Sequence, residues 1–190
     1  RPFDTFEDQN SSWWIRMGEE VARQVQTIAR DLPAEPTLSP KDQLKFDFFS
    51  GLLEVAREHS DLHAGVTPAA SDWLMSGAGT SGVHWVYRIR PASTSVELAL
   101  ERPDASLNRR RFESVIAHRE EVESNFGDAL EWDAPESRKR CSIVKTIGLG
   151  GYESPRDEWL EIFEMTVSSM DRLESALSGD VKRFREEVRG

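Results

Sequence analysis

The sequence predicts an α+β fold: a mostly antiparallel sheet of about five strands with helices packed on one face. Three observations lead there. Helical periodicity dominates both ends of the chain. Two adjacent segments near the centre, 83–90 and 96–101, alternate with period two on either side of a Pro-Ala-Ser-Thr turn. Shorter strand-like runs flank them, and hairpin connections favour antiparallel pairing.

The elements follow in order. Ser11 and Ser12 precede a helix over 11–32, whose apolar face is Trp14, Met17, Val21, Val25, Ile28 and Leu32. Pro33, Pro36 and Pro40 mark a linker over 33–40. Ser39-Pro40-Lys41-Asp42 reads as a helix start, with Ser as N-cap and Pro in the first turn, ahead of Leu44, Phe48, Leu52 and Val55. Trp73-Leu74-Met75 is a strand. In the central hairpin the alternation pairs Ile89 with Val96, Tyr87 with Leu98 and Trp85 with Leu100, and on the other face Arg88 with Glu97 and His84 with Glu101. A helix follows from about Ser106 to Phe126, with Phe112, Val115, Ile116, Val122 and Phe126 inward and Gly127 ending it. Leu130-Glu131-Trp132 and Cys141 to Val144 are two more strands. Ser154-Pro155-Arg156-Asp157 repeats the helix-start pattern before a stripe from Trp159 to Leu177. Gly179 is expected to stop that helix, and Asp180 to open a short last one over 180–189 with Val181, Phe184 and Val188. The whole, 1–190, reads as one domain with a core over 41–178.

Composition bounds the function. At 38% hydrophobic and 31% charged residues the chain is ordinary globular material. It has no apolar run long enough to span a bilayer, so no membrane association is expected. The start, Arg1-Pro2-Phe3-Asp4, has neither Met nor an apolar signal segment and reads as an internal boundary of a longer protein. One cysteine, Cys141, cannot form an internal disulfide, and a cytoplasmic location is the expectation. The net charge of −10 argues against a surface that binds phosphate everywhere. Residues 61–152 are nearly neutral between acidic ends, so an anion site belongs in the middle.

Most candidate motifs have a plain structural reading. Gly77 to Gly82 fits G-x-G-x-x-G, but a strand follows where dinucleotide binding needs a helix. A glycine-rich turn or a backbone anion nest are the readings left. His59 and His63 are spaced for a shared metal, yet Gly65 and Pro68 end the helix there and no further ligand lies near. Cys141 alternates with Ile143 as a buried strand thiol would. Glu97-Leu98-Ala99 lacks the lysine of the nuclease Glu-x-Lys motif. No catalytic residue, metal or cofactor is implied.

The arginines carry more information. Six lie between Arg88 and Arg111, against Glu97, Glu101 and Asp104. Arg138 and Arg140 precede the last strand. The candidate anion or nucleic-acid site is Arg88, Arg90, Arg109, Arg111, Arg138 and Arg140, assisted by backbone amides near Ser106 and Leu107; arginine suits bidentate recognition of phosphate or carboxylate. Ion pairing with the neighbouring carboxylates is the competing reading. The aromatics of the hairpin point to the core, so base stacking is not expected.

Several residues carry a resemblance. They include Leu52-Leu53-Glu54-x-Ala56-Arg57, Gly79-Thr80-Ser81-Gly82-Val83-His84, Asn108 with Phe112, Leu130-Glu131-Trp132, Arg140-Cys141-x-Ile143, and Gly150-Gly151-Tyr152 before Trp159. Over about 41–178 the chain resembles a prokaryotic family of domains of unknown function found behind restriction-endonuclease-like PD-(D/E)XK domains. The resemblance implies a restriction- or defence-type context, with DNA and an N-terminal nuclease-like domain as partners. It supplies no catalytic residues. The leading expectation is therefore a non-catalytic accessory or interaction domain. An enzyme with a dispersed site is the alternative, and a homodimer built on the helices at 11–32 and 155–178 is a third reading.

Overall fold

A computed structural model describes residues 16–24 and 38–187. The chain divides into two compact units, 1–37 and 38–190. In the first, the described residues 16–24 are helical (α1), with Met17 and Val21 exposed. The rest of the expected 11–32 helix, including Trp14, Val25, Ile28 and Leu32, lies outside the described residues. So do most of the 33–40 linker and Val188.

The second unit is the α+β fold. Its order is α2 (Pro40–His59), β1 (Trp73–Gly77), β2 (Val83–Ile89), β3 (Thr94–Leu100), α3 (Ala105–Ile116), α4 (Arg119–Phe126), β4 (Glu131–Asp133), β5 (Cys141–Ile147) and α5 (Trp159–Glu187). The five strands form one antiparallel sheet in the order β1-β2-β3-β5-β4. Among the described residues no helix is long and apolar enough to cross a membrane.

Ser39 caps α2 as its sequence predicts, its side chain accepting from the Asp42 N–H, with Pro40 in the first turn. The second Ser-Pro pattern behaves differently. A 3-10 turn, Arg156–Glu158, precedes α5, and the Ser154 hydroxyl accepts from Gly151 N–H instead of capping the helix. The expected stop at Gly179 does not occur either: α5 runs unbroken to Glu187. Its apolar stripe explains this. Trp159, Ile162, Phe163, Val167, Met170, Leu173 and Leu177 continue in phase into Val181 and Phe184, all buried. Burying that last turn outweighs the roughly 1 kcal/mol penalty of a helical glycine. The single helix expected from Ser106 to Phe126 is two, broken at Ala117 and His118. Ile116, expected inward, is 36% exposed at the break. Gly127 does end α4, in the left-handed conformation.

The hairpin has the predicted faces but not the predicted partners. Trp85 pairs with Leu98, Tyr87 with Val96 and Val83 with Leu100, two residues away from the expected register. The turn occupies Arg90 to Ser93, closed by the Arg90 N–H to Ser93 carbonyl bond at 2.8 Å. Thr94 thereby enters the sheet facing inward, where its hydroxyl meets that of Thr166 on α5 at 2.7 Å. A two-residue offset keeps every side chain on its own face, so alternation alone does not detect it.

The core lies between one sheet face and the helices. Val83, Trp85, Tyr87, Ile89, Val96, Leu98, Leu100, Cys141 and Ile143 contribute from the strands, and Phe48, Leu52, Phe112, Val115 and the α5 stripe from the helices. Val86 and Ala99 are buried but belong to the other face and stand outside this core.

Candidate anion site on the open face of the sheet

The second face follows from the register. Across the sheet, Trp73, Arg88, Ser95 and Thr146 form one row, and Met75, Val86, Glu97, Val144 and Glu131 the next. A cavity of about 280 Å³ opens here, lined by Arg88, Arg90, Arg138 and Arg140 against Glu97, Glu131 and Asp133, with Ser95, Ser142 and Thr146 on its floor. A second cavity of about 260 Å³ shares Arg88 and Arg90 and adds Lys41, Lys45 and Asp72. Together the two present six cations and four carboxylates, a net positive patch on a chain of net charge −10.

Glu97 organises the patch. It is 3% exposed and faces two guanidinium groups, Arg88 at 2.9 Å and Arg140 at 2.9 Å. Arg140 also reaches Glu101 at 3.5 Å. The predicted Arg88–Glu97 pair thus forms as a diagonal, because Val86 is the direct partner of Glu97. Arg138 pairs with Asp133 at 3.1 Å and remains 61% exposed. Arg90 is exposed at the hairpin turn and, among the described residues, its side chain has no ion-pair or hydrogen-bond partner. Lys45 is held at 2.5 Å from Asp72 over the ring of Tyr152. The hydrogen bond of that pair raises the lysine pKa and lowers that of the aspartate, so both stay charged.

The structure brings together Arg88, Arg90, Arg138 and Arg140 of the six predicted site residues. It does not bring Arg109 and Arg111 into the cavity lining. Arg109 donates to the carbonyls of Ala134 and Pro135, the latter at 3.2 Å. Its neighbour Asn108, 1% exposed, donates to the Arg102 carbonyl at 2.9 Å and the Lys139 carbonyl at 3.0 Å and accepts from the Arg102 N–H. These two residues hold the 134–140 loop that carries Arg138 and Arg140 to the open face. Arg111 is 2% exposed, lies over the Phe184 ring, and donates to the Phe184 carbonyl at 3.1 Å and to Glu187 at 3.3 Å. The amides of Ser106 and Leu107, expected to assist an anion, are already taken by the Asp104 carboxylate at 2.9 and 3.2 Å. A capping aspartate occupies the place a ligand oxygen would fill.

Sequence reasoning missed Lys41, Lys45 and the loop that sets Arg90. Gly151 packs against the hairpin turn so closely that a Cβ would lie 2.0 Å from the Arg90 carbonyl oxygen. The Tyr152 N–H then donates to that oxygen at 3.1 Å, and the Glu153 N–H to Pro91 at 3.0 Å. The Gly-Gly-Tyr signal was visible in the sequence; its contact with a turn some sixty residues earlier was not.

The other motifs resolve simply. Gly77 to Gly82 is the β1–β2 turn, with positive φ at Gly79 and Gly82, and Arg185 donates to the Ala78 carbonyl beside it at 2.6 and 2.8 Å. His59 ends α2 and meets Asp171 at 3.3 Å, while His63 is buried against the Tyr87 ring, centroids 4.4 Å apart. Among the described residues no three His, Cys, Asp or Glu side chains gather as metal ligands. Burial pushes the Cys141 thiol pKa up, away from thiolate chemistry.

A family model described as a domain of unknown function (DUF4268) matches residues 44–180. No curated protein matches the sequence. Among solved structures, YbjN of E. coli is similar at 15% identity and a TM-score of 0.31, with 67% of this chain and 93% of that one covered. A likeness at that level carries no argument about fold or function.

Proposed function

The chain belongs to the DUF4268 family of domains of unknown function. We propose that it is a non-catalytic binding domain that takes nucleic acid on the open face of its sheet, as the accessory part of a restriction- or defence-type protein working in the prokaryotic cytoplasm beside a nuclease-like domain. One observation carries the binding reading: Arg88, Arg90, Arg138 and Arg140 converge on one cavity, continuous with Lys41 and Lys45, on a protein whose overall charge is strongly acidic. The nuclease context comes from the sequence resemblance, and the non-catalytic role from the absence of a Glu-x-Lys motif.

The electrostatics set the character of such binding. At physiological salt the Debye length is about 8 Å, so the patch acts at contact while distant carboxylates are screened. Arg88 and Arg140 are held by the buried Glu97, so the main phosphate ligands are Arg90, Lys41, and Arg138 and Lys45 beside their more exposed aspartates. Few phosphates are neutralised, so affinity is weak and the salt slope shallow. The test is titration of fluorescently labelled DNA at about 50 mM salt with wild type and an Arg90→Ala/Arg138→Ala double variant. The double variant is expected to bind several-fold more weakly while melting as wild type does. Equal affinities remove the nucleic-acid reading.

A further inference from the structure

The open face carries an aromatic that the alternation of the hairpin does not announce. Trp73 lies on the edge strand β1, directly opposite Arg88 in the register, so its indole shares the face of the arginines. It is 45% exposed, and Met75, two residues on and on the same face, is 39% exposed. The Arg88 guanidinium sits 5.7 Å from the Trp73 ring centroid. The other three tryptophans of the second unit differ. Trp85 and Trp159 are buried in the core, and Trp132 pairs with the inward Ile143 and meets Phe112.

Burial does not explain Trp73, since nearly half its surface is in solvent. Stacking does. A large ring at a sheet edge, braced by the guanidinium of Arg88 one strand away in the same cross-sheet row, offers a π-face to a flat ligand whose charge the neighbouring cations would hold. Adjacent strands lie about 4.8 Å apart. The ring and the arginine cavity are thus within one nucleotide's reach.

We infer that the open face takes single-stranded nucleic acid, a base stacking on Trp73 while Arg90, Arg138 and the lysines hold the phosphates. This rests on the anion-binding reading above and narrows it. A duplex keeps its bases stacked on one another and offers none to Trp73; a single strand does.

The experiment is fluorescence anisotropy with labelled oligothymidylate of about 16 nucleotides and a duplex of equal length. Wild type, Trp73→Ala, Trp73→Phe and the Arg90→Ala/Arg138→Ala double variant are compared, each checked for folding by circular dichroism. Wild type is expected to prefer the single strand. Trp73→Ala should lose roughly tenfold or more of single-strand affinity, as removal of a base-stacking ring does, with duplex affinity unchanged, and Trp73→Phe should restore most of it. Single-strand binding that depends on the arginines but not on Trp73 overturns this inference and leaves the anion site standing. So does duplex binding that equals single-strand binding. No binding of either oligonucleotide by wild type overturns both readings.

Discussion

The two faces of the sheet are built from the same strands by opposite rules. In β3 every residue is buried, yet Val96, Leu98 and Leu100 pack into the core while Ser95 and Glu97 line a charged cavity. On the core face a residue is tolerated for its volume. On the open face it is tolerated for its partners, and Glu97 at 3% exposure is paired with two guanidinium groups. The lesson is that burial alone does not identify a core in this protein; the side of the pleat does.

The difference predicts unequal responses to substitution. Trp85→Ala on the core face should cost roughly 3–5 kcal/mol, measured by urea denaturation, because the ring is 2% exposed and its loss leaves a cavity in the core. Anion affinity, read under conditions where the variant remains folded, should be unchanged. A small stability loss would mean that the core face relaxes like a surface, and the contrast between faces would fail.

How far this contrast was legible in the sequence depends on distance along the chain. The parity of β2 and β3 was readable, because period-two patterning assigns faces within a strand. The register was not: Thr94 faces inward on account of Thr166, seventy-two residues away. Likewise the helix stop at Gly179 was a sound local signal overridden by Val181 and Phe184, whose burial only the folded chain reveals. For the site, arginine density pointed to the right region, and four of six residues converge. Arg109 and Arg111 could not be separated from them by sequence. Adjacent positions on one helix share composition, and what distinguishes them is the carbonyls of the 134–135 loop and of Phe184.

The core face also holds a group that sharpens the contrast by pH. His63 is 1% exposed, and neither ring nitrogen makes a hydrogen bond of good geometry. Burial pushes its pKa down to about 4, with the Trp85 backbone opposing in part. The neutral ring is therefore the form the fold accepts. Because the folded pKa lies below the unfolded value of 6.5, its contribution is complete above about pH 6.5 and is lost as pH falls toward 4. At 1.36 kcal/mol per unit the loss approaches about 3 kcal/mol. Denaturation midpoints across that window should fall for wild type and stay flatter for His63→Phe. Parallel curves would show that the imidazole is not confined as the Tyr87 contact implies.

The smallest expected stability change, with the most informative binding change, is at Glu97. Its carboxylate holds Arg88 and Arg140, whose side chains are 26% and 23% exposed, so water partly compensates when the charge is removed. Glu97→Gln keeps the volume and one acceptor oxygen but leaves Arg88 without its countercharge and Arg140 with only Glu101 at 3.5 Å. A fully buried pair broken this way would cost about 3–5 kcal/mol; a quarter exposed, about 1–3 kcal/mol is expected. The same change raises the charge of the cavity by one and frees two bidentate donors for phosphate. Stability and affinity should then move in opposite directions: the variant melts lower, binds DNA more tightly, and shows a steeper dependence on salt. A core substitution has no route to that combination, since losing volume on the helix side adds no charge to the open face. If Glu97→Gln lowers both stability and affinity, the carboxylate is holding the arginines in their binding geometry, and the ion pairs are the framework of the site. If it lowers stability and leaves affinity untouched, Arg88 and Arg140 serve the fold alone, and the anion site contracts to Arg90, Arg138 and the two lysines.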